Sequence, residues 1–124
     1  MKSEQRNTLA VHVARRLHDA LTAAQDGDWI AAWSQLEDAH VLSQPLAGPH
    51  IRVHAAMWRL AWRTRKPGEL WGQSIRVILA GPGSLTGRYP RGNPGRAGIS
   101  AWSSMPIRPD LARLLDQTTA SNIS

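Results

Sequence analysis

Glu37, His40, His50 and His54 are the residues whose types and spacing point most directly to chemistry. Glu37 and His40 stand one helical turn apart, and so do His50 and His54. A Glu-x-x-His step on one helix, facing a His-x-x-x-His step on its neighbour, can set four ligands around one ion. Neutral imidazoles with a carboxylate suit zinc, iron or another first-row divalent metal. His18 and Gln44 are candidates to orient those imidazoles by hydrogen bonds. The competing reading is a structural polar network, with Glu37 accepting from an imidazole N–H and the rings tied to backbone carbonyls. Two-metal carboxylate chemistry needs the Glu-x-x-His step twice, and the chain has it once.

A second candidate lies further on, in Thr86-Gly87-Arg88-Tyr89-Pro90-Arg91-Gly92-Asn93-Pro94-Gly95-Arg96. Arg88, Arg91 and Asn93 could hold an anion there, through guanidinium forks and the N–H groups of a glycine-rich backbone. The segment lacks the Gly-Lys-Ser/Thr ending of a Walker loop, and no strand precedes it as a dinucleotide fingerprint requires. The bland alternative is a glycine-rich strap with its arginines in solvent. The absence of cysteine excludes disulfides, thiolate zinc sites and a cysteine nucleophile. No Gly-x-Ser-x-Gly elbow occurs, and no carboxylate pair stands in an acid/base arrangement. No substrate is named by these residues, and whether the chain is an enzyme stays open.

The elements that must position these groups read as helices. From Thr8 to Gln25, Leu9, Val13, Leu17, Ala20, Leu21 and Ala24 share one stripe. Asp26-Gly27-Asp28 stops that helix and supplies a new cap. Trp29, Ala32, Trp33, Leu36, Ala39 and His40 form the next stripe, to about Ser43. A short connection with Pro45 favours an antiparallel hairpin. A third helix from Pro49 to about Arg65 repeats the pattern with His50, Val53, His54, Met57, Leu60 and Ala61. At a rise of about 1.5 Å per residue, His40, His50 and His54 come to one height at the end of this hairpin. A fourth helix, Glu69 to Ala80, is expected to pack Trp71, Ile75, Ile78 and Leu79 on one side.

The pattern then changes. Gly81 to Gly98 holds six glycines and three prolines, a density of breakers that predicts an irregular loop. Pro109 to Leu115 reads as a short closing helix. The expected fold is all-α: antiparallel helical hairpins forming a small four-helix bundle-like domain, with an irregular Gly/Pro/Arg-rich C-terminal strap. The 124 residues fit one domain, with a helical core over 1–80, the loop over 81–105 and the closing helix over 106–117. No apolar run approaches a membrane span, and the N-terminal residues lack the apolar stretch of a secretory signal; a cytoplasmic location without a membrane partner is the expectation. The net charge of +6 rests almost wholly on arginine, since Lys2 and Lys66 are the only lysines. Such a surface suits an anionic partner such as nucleic acid.

Two likenesses complete the reading. Gly27 to Ala39 is similar to the second half of a tetratricopeptide hairpin, with Gly, aromatic, Ala and Leu-Glu-x-Ala in register. No second copy follows, so it implies a local hairpin and an interaction module that binds a protein segment, the alternative to metal binding. Leu36-Glu37-Asp38-Ala39-His40-Val41-Leu42-Ser43-Gln44, Pro49-His50 with His54 and Met57, Gly72-Gln73 and Gly87-Arg88-Tyr89-Pro90-Arg91-Gly92-Asn93 together resemble a family of small bacterial proteins known as a domain of unknown function. The resemblance spans roughly Ala10 to Leu111. It implies that His40, Gln44, His50, His54 and the Arg88–Asn93 loop belong together. Members usually carry Thr after that Asn, where this chain has Pro94.

Overall fold

The computed structural model describes residues 2–87, 91–97 and 103–120, with the side chains of 77–81 and 117–120 outside that description. Among the described residues the chain is all-α: α1 (Ser3–Gln25), α2 (Trp29–Ser43), α3 (Ala47–Arg63), α4 (Pro67–Thr86) and α5 (Pro109–Ala120). Two hairpins, α1/α2 and α3/α4, join through α2 against α3, and α5 closes on α1 and α2.

The apolar stripes explain the packing. Leu9 and Val13 of α1, Leu36 and Leu42 of α2, Val53 and Met57 of α3 and Leu111 of α5 are buried in one core. Ala32, Ala39 and Ala61 are fully enclosed, and their small size lets the helix axes approach closely. Asp28 caps α2 by accepting the Ala31 N–H at 3.1 Å. The α1–α2 turn is a Schellman motif: Gly27 has φ +75°, and the N–H groups of Gly27 and Asp28 donate to the carbonyls of Ala24 and Ala23. No helix among the described residues is long and apolar enough to cross a membrane.

Two local expectations change. α4 runs through Gly81 and Pro82 to Thr86 and ends on Gly87 at φ +69°, so the irregular segment starts later than the breaker count suggests. A proline interrupts one backbone bond of a helix, while the hydroxyl of Thr86 donates to the Pro82 carbonyl at 2.7 Å in the turn that follows. The inward face of α4 also differs. Trp71 is 74% exposed and Ile75 45%, while the side chains of Ile78 and Leu79 lie outside the described residues; among those described, the buried residues of α4 are Glu69, Gln73 and Ser84. Of the described side chains, Gln73 and Ser84 turn inward because they meet the imidazoles of His54 and His50 on the neighbouring helix.

Candidate metal centre

α2 delivers His40 in its last turn, and α3 delivers His50 and His54 in its first two turns. All three side chains are buried, at 4%, 5% and 3% exposure. Their ligating nitrogens lie within 4.8 Å of one another. The Nε2 of His40 is 3.0 Å from Nε2 of His54 and 3.0 Å from Nε2 of His50. The rings of His40 and His54 are edge-on, with centroids 4.6 Å apart.

Each ring's other nitrogen is held by a group whose own bonding fixes the proton. His40 Nδ1 faces the backbone carbonyl of Asn93 at 2.5 Å; a carbonyl only accepts, so Nδ1 carries the hydrogen. His54 Nδ1 faces Oε1 of Gln73 at 2.5 Å. The Gln73 amide donates from Nε2 to Glu69 at 3.1 Å and to the Gly95 carbonyl at 2.6 Å, which sets its orientation and makes Oε1 the acceptor. His50 Nδ1 faces Ser84 Oγ at 2.8 Å. The Ser84 hydroxyl donates to the Gln44 carbonyl at 2.6 Å, so it accepts from His50. All three imidazoles are thereby assigned the Nδ1–H tautomer, and three Nε2 lone pairs converge.

The surroundings favour neutral rings. Burial holds the His40 imidazole well below its ordinary value, the rings of His54 and His50 push it further down, the Asn93 carbonyl opposes and Arg76 adds to the lowering. Burial brings His54 down to about 4, against the hydrogen bond with Gln73 and with help from Arg76. Burial pushes Glu69 up, but the bonds it accepts from Ala97, Arg96 and Gln73 outweigh this and its carboxyl lies below the ordinary value.

The strap closes the centre from outside. Gly95 sits at φ +85° against the His40 ring, where an added Cβ would stand 2.6 Å from Cδ2. Arg96 reaches back: its guanidinium lies 3.8 Å above the Trp33 ring, donates from Nη1 to Glu37 at 3.1 Å and from Nε to Glu69 at 2.5 Å. An ordered chain therefore runs His54–Gln73–Glu69–Arg96–Glu37.

The candidates read from the sequence separate accordingly. His40, His50 and His54 come together. Glu37 is at the far end of the chain just described, paired with Arg96, and is not among the clustered ligating groups. Gln44 acts one step away: its carbonyl holds Ser84, and its Oε1 accepts the Gly92 N–H at 3.0 Å. His18 is exposed on α1. Of the anion-binding candidates, Arg88 lies outside the described residues. Arg91 pairs with Asp116 at 3.4 Å on the exposed surface. Asn93 is buried, and its side chain bonds Ser103 and Gly95 within the strap.

Gln73, Ser84, Glu69 and Arg96 are the site residues that sequence reasoning missed. Gln73 stood within the Gly72-Gln73 motif, which was the available signal. Ser84 and Arg96 lay in the segment read as irregular.

Comparison with curated proteins and with solved structures finds no match. The model of a family described as "Protein of unknown function (DUF3703)" matches residues 7–115. With most of its length inside that match, including every residue of the histidine centre and its supports, the chain belongs to the DUF3703 family.

Proposed function

We propose that this protein binds a first-row divalent metal ion, zinc or iron, through the Nε2 atoms of His40, His50 and His54. The observation that carries the reading is the set of fixed tautomers. Each Nδ1–H is committed to Asn93, Ser84 or Gln73, so three lone pairs face one another at close range with no hydrogen of their own to share. A cation among them turns mutual repulsion into coordination. The spacing of two pairs fits: metal–nitrogen bonds of about 2.0–2.1 Å place ligands roughly 3.3 Å apart in a tetrahedron and roughly 2.9 Å apart on an octahedral face, which bracket the 3.0 Å from His40 to each of its partners, while all three ligating nitrogens lie within 4.8 Å and would draw together around an ion.

The supports match what metal-bound histidines ordinarily have, a partner on the second nitrogen that fixes ring and tautomer. Three protein ligands leave a position for water or another donor. Glu37 is engaged with Arg96 and would join only by giving up that ion pair.

Untagged protein, freed of metal by a chelator and titrated with zinc or ferrous ion against a chromophoric competitor, tests this. One ion per chain is expected, lost in His40→Ala, His50→Ala and His54→Ala, while Glu37→Gln binds as the parent does. Gln73→Met should weaken binding by about 10–100-fold, because His54 loses its orienting partner. Unchanged affinity in all three histidine variants overturns the proposal.

A further inference from the structure

A second surface, built from residues outside the histidine cluster, carries an unrelated feature. A groove of about 440 Å³ runs between α1 and α3, with Leu36 of α2 among the residues lining it. No described helix covers it: α4 packs on α3, while α5 packs on α1 and α2. Leu17 and Leu21 of α1 line it, and Leu21 is 54% exposed, which is costly for a leucine left in water. Ala20, Ala24, Ala55 and Ala56 also line it. Small residues on both walls let the backbone of a docked helix come close.

The α3 side is cationic. Arg52, Arg59 and Arg63 line the groove, and no carboxylate does. Their spacing of seven and four residues keeps them on one face of α3 over about 16 Å of its length. None of the described ion pairs involves them; Arg63 lies over the Trp29 ring at 5.4 Å. Ala47 to Lys66 contains no acidic residue.

From this we infer that the α1/α3 groove is a docking site for an amphipathic helix of another polypeptide, with leucine-type residues on its inner face and acidic residues along the edge that meets Arg52, Arg59 and Arg63. Apolar lining and a row of like charges together define such a partner. A fatty acid would offer one carboxylate and leave the other guanidinium groups unmatched. A nucleic acid would satisfy the arginines and leave the leucines wet. The site shares no residue with the histidine centre and does not depend on the metal reading.

The test uses the full chain and two labelled peptides of about 18 residues, long enough to present several helical turns. Both carry leucine and alanine at i, i+3, i+4 and i+7; one has glutamates along the flanking edge and its twin has lysines there. By fluorescence anisotropy the glutamate peptide is expected to bind saturably and the lysine twin about tenfold or more weakly, since like charges across an interface oppose association. The double variant Arg52→Glu/Arg59→Glu should reverse that preference. Ala56→Trp, which fills the groove, should abolish binding of the glutamate peptide with helix content and zinc binding unchanged. Equal affinity for the twins, a preference that survives the charge reversal, or oleate binding in place of either peptide overturns the inference. If the double variant does not fold, Arg59→Gln decides: about a tenfold loss for the glutamate peptide alone supports the inference, and no loss overturns it.

Discussion

Gly95 shows how closely the strap is fitted to the histidine cluster. Its φ of +85° is open to glycine and strained for any L side chain, and a methyl group there would overlap the His40 ring. Gly95→Ala therefore combines backbone strain with displacement of the ring or of the strap. A destabilisation of about 1–3 kcal/mol is expected in urea unfolding, together with weaker metal binding because the Asn93 carbonyl moves off His40. Stability equal to the parent would mean that the strap is not held against the ring. The imidazoles themselves predict a pH effect. His40 and His54 are neutral in the folded protein, with His54 near 4, while the unfolded chain takes up protons below about 6.5. The unfolded state then binds more protons, so stability of the metal-free protein is full above that value and falls as the pH drops toward 4. His54 alone accounts for about 2 kcal/mol by pH 5, and His40 adds in the same direction. Below the ordinary carboxyl range Glu69 contributes a further loss, because its folded value is also depressed. Urea midpoints of chelator-treated protein at pH 7.5 and pH 5 measure the histidine part. A flat profile would mean that the rings are protonated or solvated in the fold.

At the scale of elements, the two hairpin turns use one motif with different residues. In the first, Gly27 takes the left-handed position. In the second, Arg65 takes it at φ 53°, with the N–H groups of Arg65 and Lys66 donating to Trp62 and Ala61. An L side chain pays about 1 kcal/mol for that conformation where glycine pays little. Arg65→Gly should therefore stabilise the protein by about 0.5–1 kcal/mol, read as a higher thermal midpoint, and a lower midpoint would show that the Arg65 side chain holds the turn. Part of this architecture is legible in the sequence. The α1–α2 turn and the limits of α2 follow from Asp26-Gly27-Asp28 and a regular apolar stripe. The convergence of His40, His50 and His54 follows from helical period and a short connection. The face of α4 does not. Trp71, Ile75, Ile78 and Leu79 make a persuasive apolar stripe by themselves, yet Trp71 and Ile75 are exposed, and the described α4 side chains that bond to α3 are Gln73 and Ser84, because the groups waiting there are imidazole N–H donors. Glu37 lies on α2 with His40 but outside the cluster of ligating groups. Its partner Arg96 arrives from 59 residues away, and spacing along one helix cannot anticipate that competition.

For the whole molecule, the position of the histidine cluster decides what an ion bound there would do. The α1/α2 and α3/α4 hairpins meet through α2 and α3, and the histidines straddle that joint: His40 on one hairpin, His50 and His54 on the other. Gln73 and Ser84 bring in α4, and Asn93 with Gly95 brings in the strap. An ion at the Nε2 atoms would tie four segments together, two of which belong to different hairpins. Binding to the folded state alone raises stability by about 2.7 kcal/mol when free metal is one hundred times its dissociation constant. That gain should be local in its signature. Amide hydrogen exchange is expected to slow on metal addition around His40, through the first turns of α3 and along Asn93–Ala97. The N-terminal half of α1, which packs through Leu9 and Val13 and touches none of these groups, should change only in so far as global unfolding slows. In His54→Gln the metal-dependent increment should vanish at every amide. Uniform protection with no focus at the joint would place the ion elsewhere, and the two hairpins would then be held by apolar packing alone.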